Sequence, residues 1–200
     1  MSKYGLRMRS VGRSVLLCLA LSLAILIARL CIATIMSPSI ATALSATLLS
    51  FRRATWIFAN FLLLIALPEE LFYRGWLQTR LADIFRASGY RDRYAWIVAA
   101  TASGAVFGAS HLLNYVSPSL RLLINLTALA NAVGATIVGF LLGIVRARSN
   151  CIWCPTLFHG FLDASYALLE RVSSSITLAL SMVVGPLIMV LALKALRYRK

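Results

Sequence analysis

The sequence predicts an all-α fold, a polytopic transmembrane bundle of about six to seven helices, each near the ~20-residue length that spans a bilayer. Two compositional facts lead there. Of the 200 residues, 60% are hydrophobic and 13% charged, against roughly 45–50% and 25% in soluble globular chains. The mean hydropathy is +0.85. So few charges cannot cover a water-facing surface, which excludes a soluble enzyme, a secreted disulfide scaffold and a disordered tail. No sustained alternating pattern suggests a β-barrel.

The elements follow in order. Residues 1–13 form a basic N-terminus carrying Lys3, Arg7, Arg9 and Arg13, and 14–36 is the first span. The small residues Ala41-Thr42-Ala43 after it also suit a cleaved signal, but the apolar run exceeds an h-region of ~7–15 residues, so a retained anchor is favoured. Ser37–Arg53 reads as interfacial or as a short helix. Thr55–Leu67 is apolar and leads through Pro68 into an amphipathic run to about Arg86, and Gly89–Arg93 is a turn. Tyr94–Leu113 and Leu120–Val145 are spans joined by a loop containing Pro118, the second closed by Arg146 and Arg148. Cys151–Leu169 and Ile176–Leu193 finish the bundle, with 194–200 a basic tail. The whole reads as one integral membrane domain with core helices over 54–170.

The net charge of +14 would suggest nucleic acid in a soluble protein. Here the basic residues cluster at the ends of apolar stretches, as membrane orientation requires. Both termini are therefore expected to be cytoplasmic, and no nucleic-acid partner is expected. Four cysteines make no framework. Cys151 and Cys154 form a C-x-x-C without a surrounding thioredoxin-like pattern or a second Cys/His pair, so the cysteines read as small, buried and inert.

The informative feature is where polar groups sit. Both histidines, His111 and His159, and three of the six acidic residues, Glu69, Glu70 and Asp163, lie in apolar segments. An intramembrane ionisable residue is a functional hypothesis by default. Residues four apart share a helix face, so Glu70 can pair with Arg74, Phe107 with His111, and His159 with Asp163. Glu69 lies about 100° round the helix from Glu70, free to point elsewhere, with Tyr73 one turn beyond. Gly104 and Gly108 make the face before His111 small enough for close helix approach. Counting from the turn at Arg91, Glu69 lies 22 residues before and His111 20 after, so an antiparallel hairpin brings them within about 3 Å of one level. On physics alone a proton or ion pathway explains these groups almost as well as hydrolysis does.

Glu69-Glu70-x-x-x-Arg74, Phe107-x-x-x-His111 and His159-x-x-x-Asp163, in this order on successive helices, resemble the motifs of the CPBP family. These are glutamic intramembrane proteases, also called Abi or CAAX-type, related to the type II CAAX prenyl endopeptidase. The run Pro68–Gly75 and a Gly139-x-x-x-Gly143 helix extend the likeness, which covers roughly Leu62–Ala167. The resemblance implies that Glu69 is the general base on a water that His111 helps to hold. It implies that His159 and Asp163 stabilise the oxyanion, and that Glu70 and Arg74 position the site by their ion pair. Phe107 and Tyr73 are the expected positioning and substrate-contact residues. Asp163 stands where the family often has Asn, a donor; an Asp donates only when protonated, and otherwise orients His159.

No cofactor is expected. Zinc is the rival, with Glu69, His111 and His159 as a ligand set, although the chain has no His-Glu-x-x-His. The expected partners are the lipid bilayer and a membrane-associated polypeptide substrate, and the expected location is the bacterial inner membrane. The alternatives are a non-proteolytic scaffold or bacteriocin-immunity protein of the same fold, or a proton-coupled carrier. Glu69→Ala separates them: a protease loses cleavage, a scaffold keeps its phenotype, and a carrier loses flux without any cleavage product.

Overall fold

The computed structural model describes residues 12–36, 51–170 and 190. The expectations for 1–11, 37–50, the span Ile176–Leu193 and the basic tail fall outside the described residues, Val190 excepted. Within them the chain is an all-α bundle, with one isolated antiparallel bridge, Val116 to Leu122, in a loop. Helix α1 is Gly12–Met36. Helix α2 runs unbroken over 51–87, α3 is Asp92–Ser110, α4 is Leu126–Ser149 and α5 is Trp153–Glu170. Among the described residues, four stretches are long and apolar enough to cross a membrane: Ser14–Ile32, Arg52–Ala87, Asp92–Tyr115 and Leu126–Ser149.

The apolar run before Pro68 and the amphipathic run after it are thus one helix. Proline has no N–H and its ring crowds the carbonyl four residues back, which ordinarily breaks a helix. Here the helix changes register instead. It is π-helical over Asn60–Ala66 and over Leu71–Leu77, with one α-helical turn, Leu67–Glu70, between. Leu67 already donates five residues back, to Leu62, so the wider turn absorbs the missing donor. Such bulges recur at functional sites, and these two bracket Glu69 and Glu70. At about 1.5 Å per residue the 36-residue stretch is roughly 54 Å long in α-helical geometry, well beyond the ~30 Å hydrocarbon core. The stretch is therefore longer than the apolar layer is thick, with Arg52 and Arg53 at its start and Arg80, Asp83 and Arg86 in its last segment.

The start of one further span needs correction. The span placed at Leu120–Val145 begins only at Leu126. Residues 116–125 form a tight turn in which Ser117 and Arg121 bond each other and Leu120 takes φ 59°. Pro118 and Ser119 impose that turn, whereas the apolar composition of 120–124 mimics helix. Asn125 then caps α4 by accepting the N–H of Ala128 at 2.8 Å. The helix expected over Cys151–Leu169 is present as α5, which is not among the four membrane-length apolar stretches. It packs against α1, α2 and α4. Arg146 stands in the last turn of α4, as expected, but does not face outward. It is wholly buried, 5.6 Å from the Trp96 ring centroid and donating to Asn150 Oδ1 at 3.0 Å.

Close approach of α3 and α4 sets the geometry of the bundle. A Cβ on Gly104 would lie 2.7 Å from Phe140 N, and one on Gly108 would lie 2.5 Å from Ala132 O. Only hydrogen fits there, as the small face predicts. The core joins Cys18 and Ile25 of α1 to Leu142 and Val145 of α4, and to Cys154, Phe158 and Leu162 of α5. Cys18, Cys151 and Cys154 are buried free thiols, whereas Cys31 is exposed, contrary to the sequence reading.

Candidate active site

The three expected pairs each form. Arg74 Nη1 lies 3.0 Å from Glu70 Oε1, both side chains fully buried. The Phe107 and His111 ring centroids are 4.5 Å apart. His159 Nε2 is 3.3 Å from Asp163 Oδ2.

What spacing along one helix does not convey is how the pairs join. His159 Nδ1 donates to Glu70 Oε1 at 2.9 Å, tying α5 to α2 across 89 positions. The opposite ring nitrogen, Nε2, lies 3.7 Å from Glu69 Oε2. Glu69 therefore does not point away from Glu70, as a simple 100° step suggests. The two neighbouring glutamates address opposite nitrogens of one imidazole. Their surroundings differ: the Glu69 and Asp163 side chains keep 38% and 34% exposure, and Glu70 none. The site thus has a sealed layer of Glu70, Arg74 and His159 beneath an accessible layer of Glu69 and Asp163.

Arg74 is built into this sealed layer. Its Nη2 donates to the Gly139 carbonyl at 3.1 Å, and its guanidinium carbon lies 4.4 Å from the Phe107 centroid. A Cβ at Gly139 would approach Arg74 Nη2 to 3.1 Å and Phe107 Cδ1 to 2.9 Å, so the glycine makes room for both. Buried ion pairs persist where further hydrogen bonds compensate for lost solvation, and the Gly139 carbonyl and His159 supply them. Phe107 is the hub, edge-on to Tyr73 at 5.0 Å, to His111 at 4.5 Å and to His159 at 5.5 Å.

His111 ends α3, where the chain tightens into a 3-10 turn over His111–Tyr115. Its Nδ1 lies 2.9 Å from the Phe107 carbonyl. A carbonyl only accepts, so Nδ1 carries the hydrogen and Nε2 is left for another partner. His111 is within charge–charge reach of both Glu69 and Asp163, in keeping with the common level expected from the hairpin count. Tyr73 donates to Ser110 Oγ at 2.9 Å, and Ser110 donates to Phe107 O at 2.7 Å.

Sequence reasoning missed several contributors. Ser110 and the Gly139 carbonyl carry no signal in a motif. Gln78, one turn below Arg74 and buried, repeats its pattern by donating to the Gly143 carbonyl at 2.9 Å. Arg29 did carry a signal, as a cation inside the first apolar span. Among the described residues no group of three His, Cys, Asp or Glu is found that could hold a metal ion.

Fold and site together define an integral membrane protein whose helices enclose a carboxylate–imidazole cluster. The family model of the Rce1-like type II CAAX prenyl endopeptidases matches residues 50–165, from the start of α2 through the whole cluster. The chain belongs to that family, and is at family level an intramembrane CAAX-type protease acting on membrane-associated peptide substrates. No curated protein and no solved structure matches it.

Proposed function

We propose that the protein is a glutamic-type endopeptidase that hydrolyses a peptide bond near the end of a membrane-associated polypeptide. In this reading Glu69 takes a proton from a water that His111 Nε2 helps to hold. The hydroxide formed attacks the scissile carbonyl, and Glu69 returns the proton to the departing amine. His159 and Asp163 face the oxyanion, while Glu70 and Arg74 hold His159 from behind. Peptide hydrolysis needs an activated water, polar groups at the developing negative charge and exclusion of bulk water.

The observation that carries the proposal is the division of labour around His159. Glu70 on Nδ1 is fully buried, whereas Glu69 and Asp163 at Nε2 are partly exposed. A base must reach water, and a positioning group must not move. The proposal includes no metal, a bacterial inner membrane as the location, and both basic termini on the cytoplasmic side.

The test compares polypeptide termini in membranes carrying the wild-type protein or the Glu69→Ala variant at equal levels. The proposal expects truncated termini that depend on Glu69. Identical termini in both membranes would sink it.

A further inference from the structure

Arg29 sits in α1, outside the residues that match the family. An arginine in an apolar span ordinarily extends its head toward the lipid headgroups. This one turns inward and is wholly buried. Its Nη1 donates to the Leu162 carbonyl at 3.0 Å and also to Ser165 Oγ. Those two acceptors flank Asp163 on α5, and the guanidinium and the Asp163 carboxylate interact electrostatically. Ser165 itself donates to Leu162 O at 2.7 Å, so cation, hydroxyl and carbonyl are joined on the turn of α5 that carries Asp163.

We infer that Arg29 is a positioning residue, a cation by which α1 fixes the turn of α5 that presents Asp163 to Nε2 of His159. The inference rests on His159 and Asp163 being site residues. The physical case is one of cost. A guanidinium in an apolar interior is expensive unless compensated. Packing α1 on α5 needs no charge, because Ile25 already contributes apolar contact to the core. Replacing a buried set of charged and polar partners as a whole by apolar residues is often neutral for stability, so what Arg29 adds is the placement of a particular carboxylate. Asp163 is partly exposed toward the accessible layer, and Nε2 alone would leave its second oxygen free to swing.

The chain has only two histidines, which makes the test specific. In the full-length protein with isotope label only in histidine nitrogens, NMR gives signals from His111 and His159, assigned with His111→Asn. Arg29→Gln is expected to move the Nε2 resonance of His159 several times further than that of His111. Arg29→Lys should restore most of the shift, and in an Asp163→Asn background Arg29→Gln should add nothing. An unmoved His159 signal overturns the inference. So does an equal shift in the Asp163→Asn background, or a shift of His111 as large as that of His159, since each marks plain packing. If Arg29→Gln does not fold, Ser165→Ala is read in the same way: a smaller shift of the same resonance supports the inference, and none overturns it. Peptide cleavage is scored separately. Lost coupling leaves the Glu69 reading standing, and absent cleavage leaves the coupling standing.

Discussion

Glu70 and His159, 89 positions apart in the chain, meet in a buried hydrogen bond of 2.9 Å. The same carboxylate oxygen also receives Arg74 at 3.0 Å. One atom therefore fixes the imidazole from α5 and the guanidinium one turn along α2, and the remaining face of the ring is left to Glu69 and Asp163.

The two glutamates should consequently fail differently. Glu69→Gln is expected to abolish cleavage while the protein melts in detergent close to the wild-type temperature, because the side chain is partly exposed. Glu70→Gln should abolish cleavage and also destabilise by about 3–5 kcal/mol, the cost of stranding a buried charge without its partner. Parallel melting curves and turnover assays check this. Equal melting of the two variants would contradict the layered site.

Gly139→Ala should reduce turnover although it adds only one methyl group. The new Cβ presses on Arg74 and Phe107, and overpacking costs typically about 1–3 kcal/mol. Thermal denaturation with a turnover assay measures it, and an unchanged rate would mean that Arg74 relaxes without consequence.

Phe107→Ala removes the ring shared by Tyr73, Arg74, His111 and His159. A stability loss of about 3–5 kcal/mol is expected for a buried phenylalanine, with turnover falling further than Phe107→Leu, which keeps most of the volume. If both variants lose turnover equally, ring geometry matters rather than packing.

If water is activated by Glu69 alone, a chelator should leave turnover unchanged and added zinc should not raise it. Loss of cleavage with a chelator, restored by zinc, would replace this mechanism with a metal-dependent one. Turnover measured before and after dialysis against the chelator decides between them.

Much of the site was legible because its parts lie four residues apart on single helices. Glu70 with Arg74, Phe107 with His111, and His159 with Asp163 share helix faces by periodicity alone, and their placement in apolar sequence marked them. The bond from His159 to Glu70 was not legible, since no local pattern encodes which ring nitrogen faces another helix. The convergence of Glu69 and Glu70 on one ring depends on two changes of helical register that no propensity scale records. The turn over 116–125 was misread because its leucines and isoleucine look like the start of a span, when the backbone is governed by Pro118 and Ser119. Arg29 went unweighed beside the motifs, although a cation in an apolar run is itself a flag.

Each wide turn in α2 holds the equivalent of one surplus residue relative to a regular α-helix. Excising a single amino acid from 60–66 would therefore restore regular winding and leave Glu69 and Glu70 near their present face, because the wide turn already takes up the ~100° that one residue adds. The stretch acts as a phase setting for the helix, and a one-codon deletion there should be tolerated better than the same deletion in a regular turn of 51–59.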